Sequence, residues 1–201
     1  MLLRSARIAL FAALPTLALS AAPADAQDLH PSRRPSPTGI AKTFLADTYV
    51  KVTYGRPYMR GRMVFGDPAD GNTYLVPFGQ TWRTGANEAT EITVTGPVHV
   101  AGQRLDTGTY SVFTVPGASS WEVRFHPGLG MDGTGRLSAE GNFTQTYDPA
   151  LDLLVVEGLV AELDEPVDQF TIAFEDVEGG VHMVLTWETT EVRVPLEGAG
   201  M

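Results

Sequence analysis

The chain has 201 residues, 43% of them hydrophobic and 19% charged, no cysteine, and a formal net charge of −10. This is the composition of a globular chain long enough to bury a core unaided. It excludes a disordered tail, a collagen-like repeat, a disulfide scaffold and thiolate chemistry. So acidic a chain repels phosphate backbones, which argues against a nucleic-acid partner.

At the start of the chain, Arg4 and Arg7 precede an apolar run from Ile8 to Leu19, and Ala24-Asp25-Ala26 supplies the small-x-small pattern that signal peptidase reads. The reading is a signal peptide over residues 1–26, cleaved before Gln27, and a periplasmic or secreted destination. The apolar run is shorter than the ~20 residues a bilayer requires, so no membrane span is expected in the mature chain. Residues 27–39 hold Pro31, Pro35 and Pro37 and read as a flexible leader, while residues 198–201 read as a short C-terminal tail.

Residues 40–197 read as one all-β domain. Val50, Val52 and Tyr54 alternate with Lys51 and Thr53, and Ala89–Thr95, Val98–Ala101 and Thr109–Val115 follow as candidate strands. Trp121, Val123 and Phe125 then alternate with Glu122 and Arg124, before further candidates at Leu151–Val156, Phe170–Phe174, Met183–Trp187 and Val192–Leu196. Turn residues such as Gly102, Gly117 and Gly179-Gly180 separate them. The pattern predicts about ten strands in an antiparallel β-sandwich or jelly-roll-like fold. Its interior should take Trp121, Phe125, Phe170, Ile172, Phe174, Leu185 and Trp187.

Charge is uneven along the domain. Residues 27–136 hold 11 basic and 9 acidic side chains, whereas residues 137–201 hold Arg193 alone against 14 acidic ones. The acidic stretch reads as a solvated face, and any anion site belongs to the first part.

Most motif candidates fail on context. Gly128, Gly130 and Gly133 match a dinucleotide fingerprint, but Thr134-Gly135-Arg136 cannot open the helix that a pyrophosphate needs. Asp67 to Asn72 offers oxygens as a calcium loop does, yet Pro68 and the missing distal glutamate break the ligand spacing and favour a turn. Asn142-Phe143-Thr144 fits a glycosylation sequon, which carries little meaning in a bacterial export context. His30, His99, His126 and His182 are widely spaced and read as unrelated rather than as zinc ligands, and no hydrolase signature is present. No metal or cofactor is expected.

One region is richer. Tyr54-Gly55-Arg56-Pro57-Tyr58-Met59-Arg60-Gly61-Arg62 gathers arginines and tyrosines among glycines, and Trp82-Arg83-Thr84-Gly85-Ala86-Asn87-Glu88 adds another arginine beside a tryptophan. Guanidinium forks, aromatic faces and closely approaching backbone suit a small anionic or carbohydrate ligand, or a cell-envelope partner. The residues that would line such a site are Tyr54, Arg56, Arg60, Arg62, Trp82, Arg83, Asn87 and Glu88. A structural reading stands beside it: Arg83 and Glu88 form a buried pair across a tight turn at Gly85-Ala86-Asn87, Trp82 is core, and the other arginines bond loop carbonyls. A non-enzymatic binding module is the leading function. The alternatives are a hydrolase with Glu88 as general base and Arg83 as charge stabiliser, and a purely structural envelope domain.

The same segments carry a family resemblance. Tyr54-Gly55-Arg56-Pro57, Gly61-Arg62, Phe65-Gly66, Val76-Pro77-Phe78-Gly79, the run from Trp82 to Thr90, Gly108 to Gly117 and Trp121-Glu122-Val123 together resemble the bacterial domain of unknown function 2911 family, over about Ile40 to Leu196. The resemblance implies an exported bacterial protein and supplies no catalytic residues. Two features depart from the family pattern: the stretch from Gly66 to Tyr74 is longer, and no tryptophan lies between His126 and Tyr147.

Overall fold

The structure, a computed structural model, describes residues 34–137 and 143–199. The expected signal peptide, His30 and the sequon's Asn142 lie outside these residues. Strands β1 (Thr38–Leu45) and β2 (Thr48–Gly55) open the fold as a hairpin. Their alternation sends Ala41, Leu45, Val50, Val52 and Tyr54 inward, and leaves Ile40, Lys42, Phe44, Lys51 and Thr53 on the outer face. Two short strands, β3 (Phe65–Gly66) and β4 (Val76–Pro77), pair in parallel and bracket a 3-10 turn at Pro68–Asp70. Asp67 caps that turn, so the oxygens of Asp67 to Asn72 serve a loop.

Next come β5 (Thr90–Val94), β6 (Val98–Val100), β7 (Gln103–Leu105), β8 (Gly108–Val115) and β9 (Ser120–His126). A small hairpin, β10 (Gly135–Leu137) with β11 (Phe143–Thr146), precedes two long strands, β12 (Leu154–Val177) and β13 (Gly180–Gly198). Nine strands form one antiparallel sheet in the order β1-β2-β5-β8-β9-β12-β13-β6-β7. Strand accounts for 61% and helix for 4% of the described residues, so the all-β, sandwich-like expectation holds. Among the described residues no helix is long and apolar enough to cross a membrane.

The open sheet folds over on itself because β12 and β13 bend. Their register shifts between Glu162 and Val167 and again before Thr171, so the first part of β12 pairs with β9 and the second part folds back over β1 and the segment that follows β2. There Met59 N–H donates to Asp168 O at 2.7 Å and Phe170 N–H to Pro57 O at 2.9 Å. The Tyr54 hydroxyl donates to Ile172 O at 3.1 Å and accepts from Ile172 N–H at 2.9 Å, sealing the same seam from inside.

An aromatic knot fills the interior. Trp82 and Trp187 stack with centroids 5.7 Å apart, while Phe65, Trp121 and Phe170 meet Trp82 edge-on at 5.0–6.1 Å. Of the expected core, Trp121, Phe125, Phe170, Ile172, Leu185 and Trp187 are buried. Phe174 is only half-buried at the margin, where β12 has run past its pairing with β9 and keeps β13 as its neighbour on one side.

Three strand expectations need correction. The stretches Leu151–Val156 and Phe170–Phe174 belong to the single strand β12, which begins at Leu154 after a 3-10 turn at Pro149–Leu151. Met183–Trp187 and Val192–Leu196 are likewise one strand. Strand β1 begins at Thr38, within the segment read as leader.

Burial of Ile172 makes it a direct probe of the core. Ile172→Ala should cost about 2–5 kcal/mol in urea unfolding. Tyr54→Phe strands the buried N–H and C=O of Ile172 and should cost about 1–3 kcal/mol by the same measurement.

Candidate functional site

The segment from Trp82 to Thr90 is built on the core and projects from it. Trp82 exchanges backbone hydrogen bonds with Thr114, at 2.8 and 2.9 Å, and its indole N–H donates to Gly85 O at 3.0 Å. The Thr84 hydroxyl donates to Thr114 Oγ1 at 3.1 Å, and the Thr90 hydroxyl to Thr84 O at 2.6 Å. Thr84 and Asn87 sit at φ of 55° and 64°, so the turn needs the left-handed conformation that asparagine tolerates. Gly55 has to be glycine here, because a Cβ would lie 1.9 Å from Ala86 O.

The expected ion pair between Arg83 and Glu88 is absent. Glu88 turns outward and its two carboxylate oxygens accept from Arg34 Nη1 at 2.7 and 2.6 Å. Arg83 is half-buried beneath the Gly133 turn, and its buried Nε has no hydrogen-bond partner among the described residues. The left-handed residues at Thr84 and Asn87 rotate the two side chains to different sides of the turn, which is why proximity in sequence does not become contact. The hydrogen bond from Arg34, the nearby positive charge of Arg34 and that of Arg83 outweigh partial burial and hold the Glu88 carboxyl below its ordinary range.

The remaining arginines spend their donors on backbone. Arg56 donates to Phe170 O at 3.2 Å and Thr171 Oγ1 at 2.9 Å, Arg62 to Met59 O at 2.9 Å and Tyr58 O at 2.8 Å, and Arg60 to Pro35 O at 3.4 Å. Asn87 donates to Ser36 O at 2.9 Å, and Arg56 N–H to Pro37 O at 2.8 Å. Residues 34–37 are thus strapped along the sheet.

Between this strap and the loop after β9 lies a cleft of about 290 Å³ on the outer face. Thr53, Gly55, Ala89 and Glu91 form its floor, Arg34, Thr38, Glu88 and Gly130 its rim, and Tyr54, whose ring faces the core, links Thr53 to Gly55. Of the eight residues singled out from sequence, Tyr54 and Glu88 line it; Arg56, Arg60, Arg62, Trp82, Arg83 and Asn87 support the walls or lie elsewhere. Sequence reasoning missed Arg34, Thr38, Thr53 and Glu91. Alternation already placed Thr53 and Glu91 on the outer face, but only the register sets them side by side.

The floor continues beneath the loop. Register aligns Thr53, Glu91, Ser111 and His126 across four strands. The loop covers the far end: Glu91 accepts from Gly130 N–H at 3.1 Å, Ser111 donates to Gly128 O at 2.7 Å, and His126 Nδ1 accepts from Gly128 N–H at 2.9 Å. The Gly128 to Gly133 segment leads into β10 and opens no helix. His99, His126 and His182 lie on β6, β9 and β13, and no group of three or more His, Asp or Glu among the described residues is placed to hold a metal ion.

Residues 36–196 match the model of a family described as Protein of unknown function (DUF2911). The chain belongs to that family. No curated protein and no solved structure matches it. Both the Ser36 and Pro37 contacts and the whole floor of the cleft fall inside the stretch that defines the chain as a DUF2911 protein.

Beside the covered floor, a second polar cluster ties the loop down. Tyr147 donates to Asp152 Oδ2 at 2.7 Å and accepts from Arg124 Nη1 at 3.1 Å. Burial, and next the hydrogen bond to Asp152, push the Tyr147 hydroxyl up to about 12.

Three measurements test this geometry. Arg83→Ala removes no ion pair and should cost about 1 kcal/mol or less in urea unfolding, where a buried partner would cost about 3–5 kcal/mol. Arg34→Ala should return Glu88 toward its ordinary range in a carboxyl NMR titration. A depressed carboxyl stabilises above its unfolded value and loses that contribution as pH falls through the folded one, so the variant should also lose part of the acid limb of stability. Tyr147, by contrast, binds its proton more tightly when folded. Stability should fall as pH rises from about 10 toward 12, and Tyr147→Phe should flatten that alkaline slope.

Proposed function

We propose that this DUF2911 protein is an exported, non-enzymatic binding module that holds a carbohydrate in the cleft between the strap and the loop after β9. Export is supported by the Arg4 to Ala26 pattern, which directs the chain to the periplasm or beyond. The observation that carries the binding reading is the lining of the cleft: two carboxylates, two threonine hydroxyls and one guanidinium within about 290 Å³, over a floor fixed by sheet register. Sugar hydroxyls both donate and accept, and such a mixed set satisfies them in both directions.

A small anion fits the cleft less well. Its single guanidinium already faces Glu88, and Glu91 adds a second negative charge, so an anion there would meet net repulsion. A hydrolase is disfavoured by the same contact. Glu88 is held ionised by Arg34, and a carboxylate of lowered proton affinity is a poor general base.

The test is binding of neutral oligosaccharides, read by calorimetry and by thermal unfolding. A ligand at about a hundred times its Kd should add about 2.7 kcal/mol to stability. Thr53→Val keeps the β-branched shape, removes the floor hydroxyl, and should weaken binding at least severalfold while leaving the unliganded midpoint within a few degrees. A wild-type protein that binds none of a broad set of oligosaccharides refutes the proposal.

A further inference from the structure

Lys42 and Lys51 are the chain's two lysines, set among 24 acidic residues. Register places them directly opposite each other on the outer face of β1 and β2. Among the described residues neither takes part in an ion pair or side-chain hydrogen bond. Like charges directly opposite on neighbouring strands repel, so the arrangement costs stability. A lysine on an edge strand can serve to blunt that edge, which would account for Lys42 on β1. Lys51 lies on β2, paired on both sides, where that explanation does not reach.

The neighbours of the pair point to a ligand. One step along the strands, Phe44 faces Tyr49, their ring centroids 5.2 Å apart, and Phe44 is 67% exposed. One step across, Lys51 is in register with Thr93, whose hydroxyl meets that of Thr109 at 3.0 Å. One step in the other direction lie Thr53 and the cleft. At ~3.4 Å per residue the track from Thr38 to Phe44 is about 20 Å long. It presents hydroxyls, then two cations, then an aromatic face.

We infer that this track is an extended subsite for an acidic glycan, with a neutral unit in the cleft, a uronate carboxylate between Lys42 and Lys51, and a sugar face against Phe44 and Tyr49. This rests on the carbohydrate reading of the cleft and deepens it. Exposed ammonium groups attract a carboxylate, and aromatic rings offer an apolar face to a sugar ring. A bilayer surface fits less well, since Thr53, Thr93 and Thr109 beside the lysines carry hydroxyls whose remaining hydrogen-bonding capacity hydrocarbon would leave unmet.

The experiment titrates the full mature chain with tetragalacturonate and with its methyl-esterified, uncharged form, and measures sedimentation with vesicles of phosphatidylglycerol and phosphatidylcholine. Wild type should bind the acid form about tenfold tighter than the ester at low salt, and the difference should shrink as ionic strength rises. The double variant Lys42→Gln, Lys51→Gln should lose that difference, keep its affinity for the ester, and unfold at the same temperature or higher. Thr53→Val should weaken both forms. Equal binding of acid and ester by wild type, or a difference that survives in the double lysine variant, overturns the acidic subsite and leaves the cleft standing. Binding of neither form overturns both, and lysine-dependent binding to vesicles in place of the glycan assigns the face to a membrane.

Discussion

Trp82 is the point from which the outer face is organised. Its indole stacks on Trp187 inside the sandwich while its N–H holds Gly85 O and its backbone exchanges two hydrogen bonds with Thr114. Ring contacts of this kind contribute about 0.5–1.5 kcal/mol each beyond their area. The turn they support carries non-glycine residues in the left-handed region, at about 1–2 kcal/mol apiece. The knot is therefore strong enough to hold a strained turn in one shape. Glu88 and Asn87 emerge from that turn at fixed positions, one on the cleft rim and the other gripping the strap.

A sheet buried on its inner face would ordinarily show water on its outer one. Here β8 is buried on both sides: Tyr110, Val112 and Thr114 face the aromatic interior, while Ser111 and Phe113 are covered by the chain between β9 and β12. Covering is polar as well as apolar. Glu91, Ser111 and His126 each hold a backbone group of the covering loop, and Tyr147 holds Asp152 below it. The cleft is the part of the same row that the loop stops short of and the strap only borders. Its position follows from how far two covering segments extend, so its walls come from residues 34–38, 53–55, 88–91 and 130.

That dispersal explains what the sequence disclosed and what it did not. Val50, Val52 and Tyr54 face one way because strands alternate, and the same rule correctly buried Trp121, Phe125 and Ile172. The rule failed between Leu159 and Gln169, where β12 leaves the core and is exposed or half-exposed on both faces, so the candidates at Leu151–Val156 and Phe170–Phe174 read as two strands rather than one bent strand. The arginines bonded to carbonyls were foreseeable from their glycine-rich surroundings. The partner of Glu88 was not, because Arg34 lies 54 residues away and no periodicity carries information over that distance.

The basic groups divide by what they face. Arg34, Arg104, Arg124 and Arg193 are paired with carboxylates, and Arg56, Arg60 and Arg62 with carbonyl oxygens. Arg83 touches neither among the described residues, yet its charge lies near enough to join Arg34 in lowering the Glu88 carboxyl. The Glu88 carboxyl is thus held below its ordinary range, and because Arg34 faces it, Glu91 supplies the excess negative charge of the cleft. On the proposed carbohydrate reading, that charge disfavours a small anion and leaves hydroxyl groups as the chemistry of the cleft. The two unpaired lysines sit one step further along the same face, outside that rim, where a negative group turned away from the cleft would find them. On the reading proposed above, a ligand neutral at one unit and acidic at the next would match both parts of this face, whose spacing is set by the register of β1, β2 and β5.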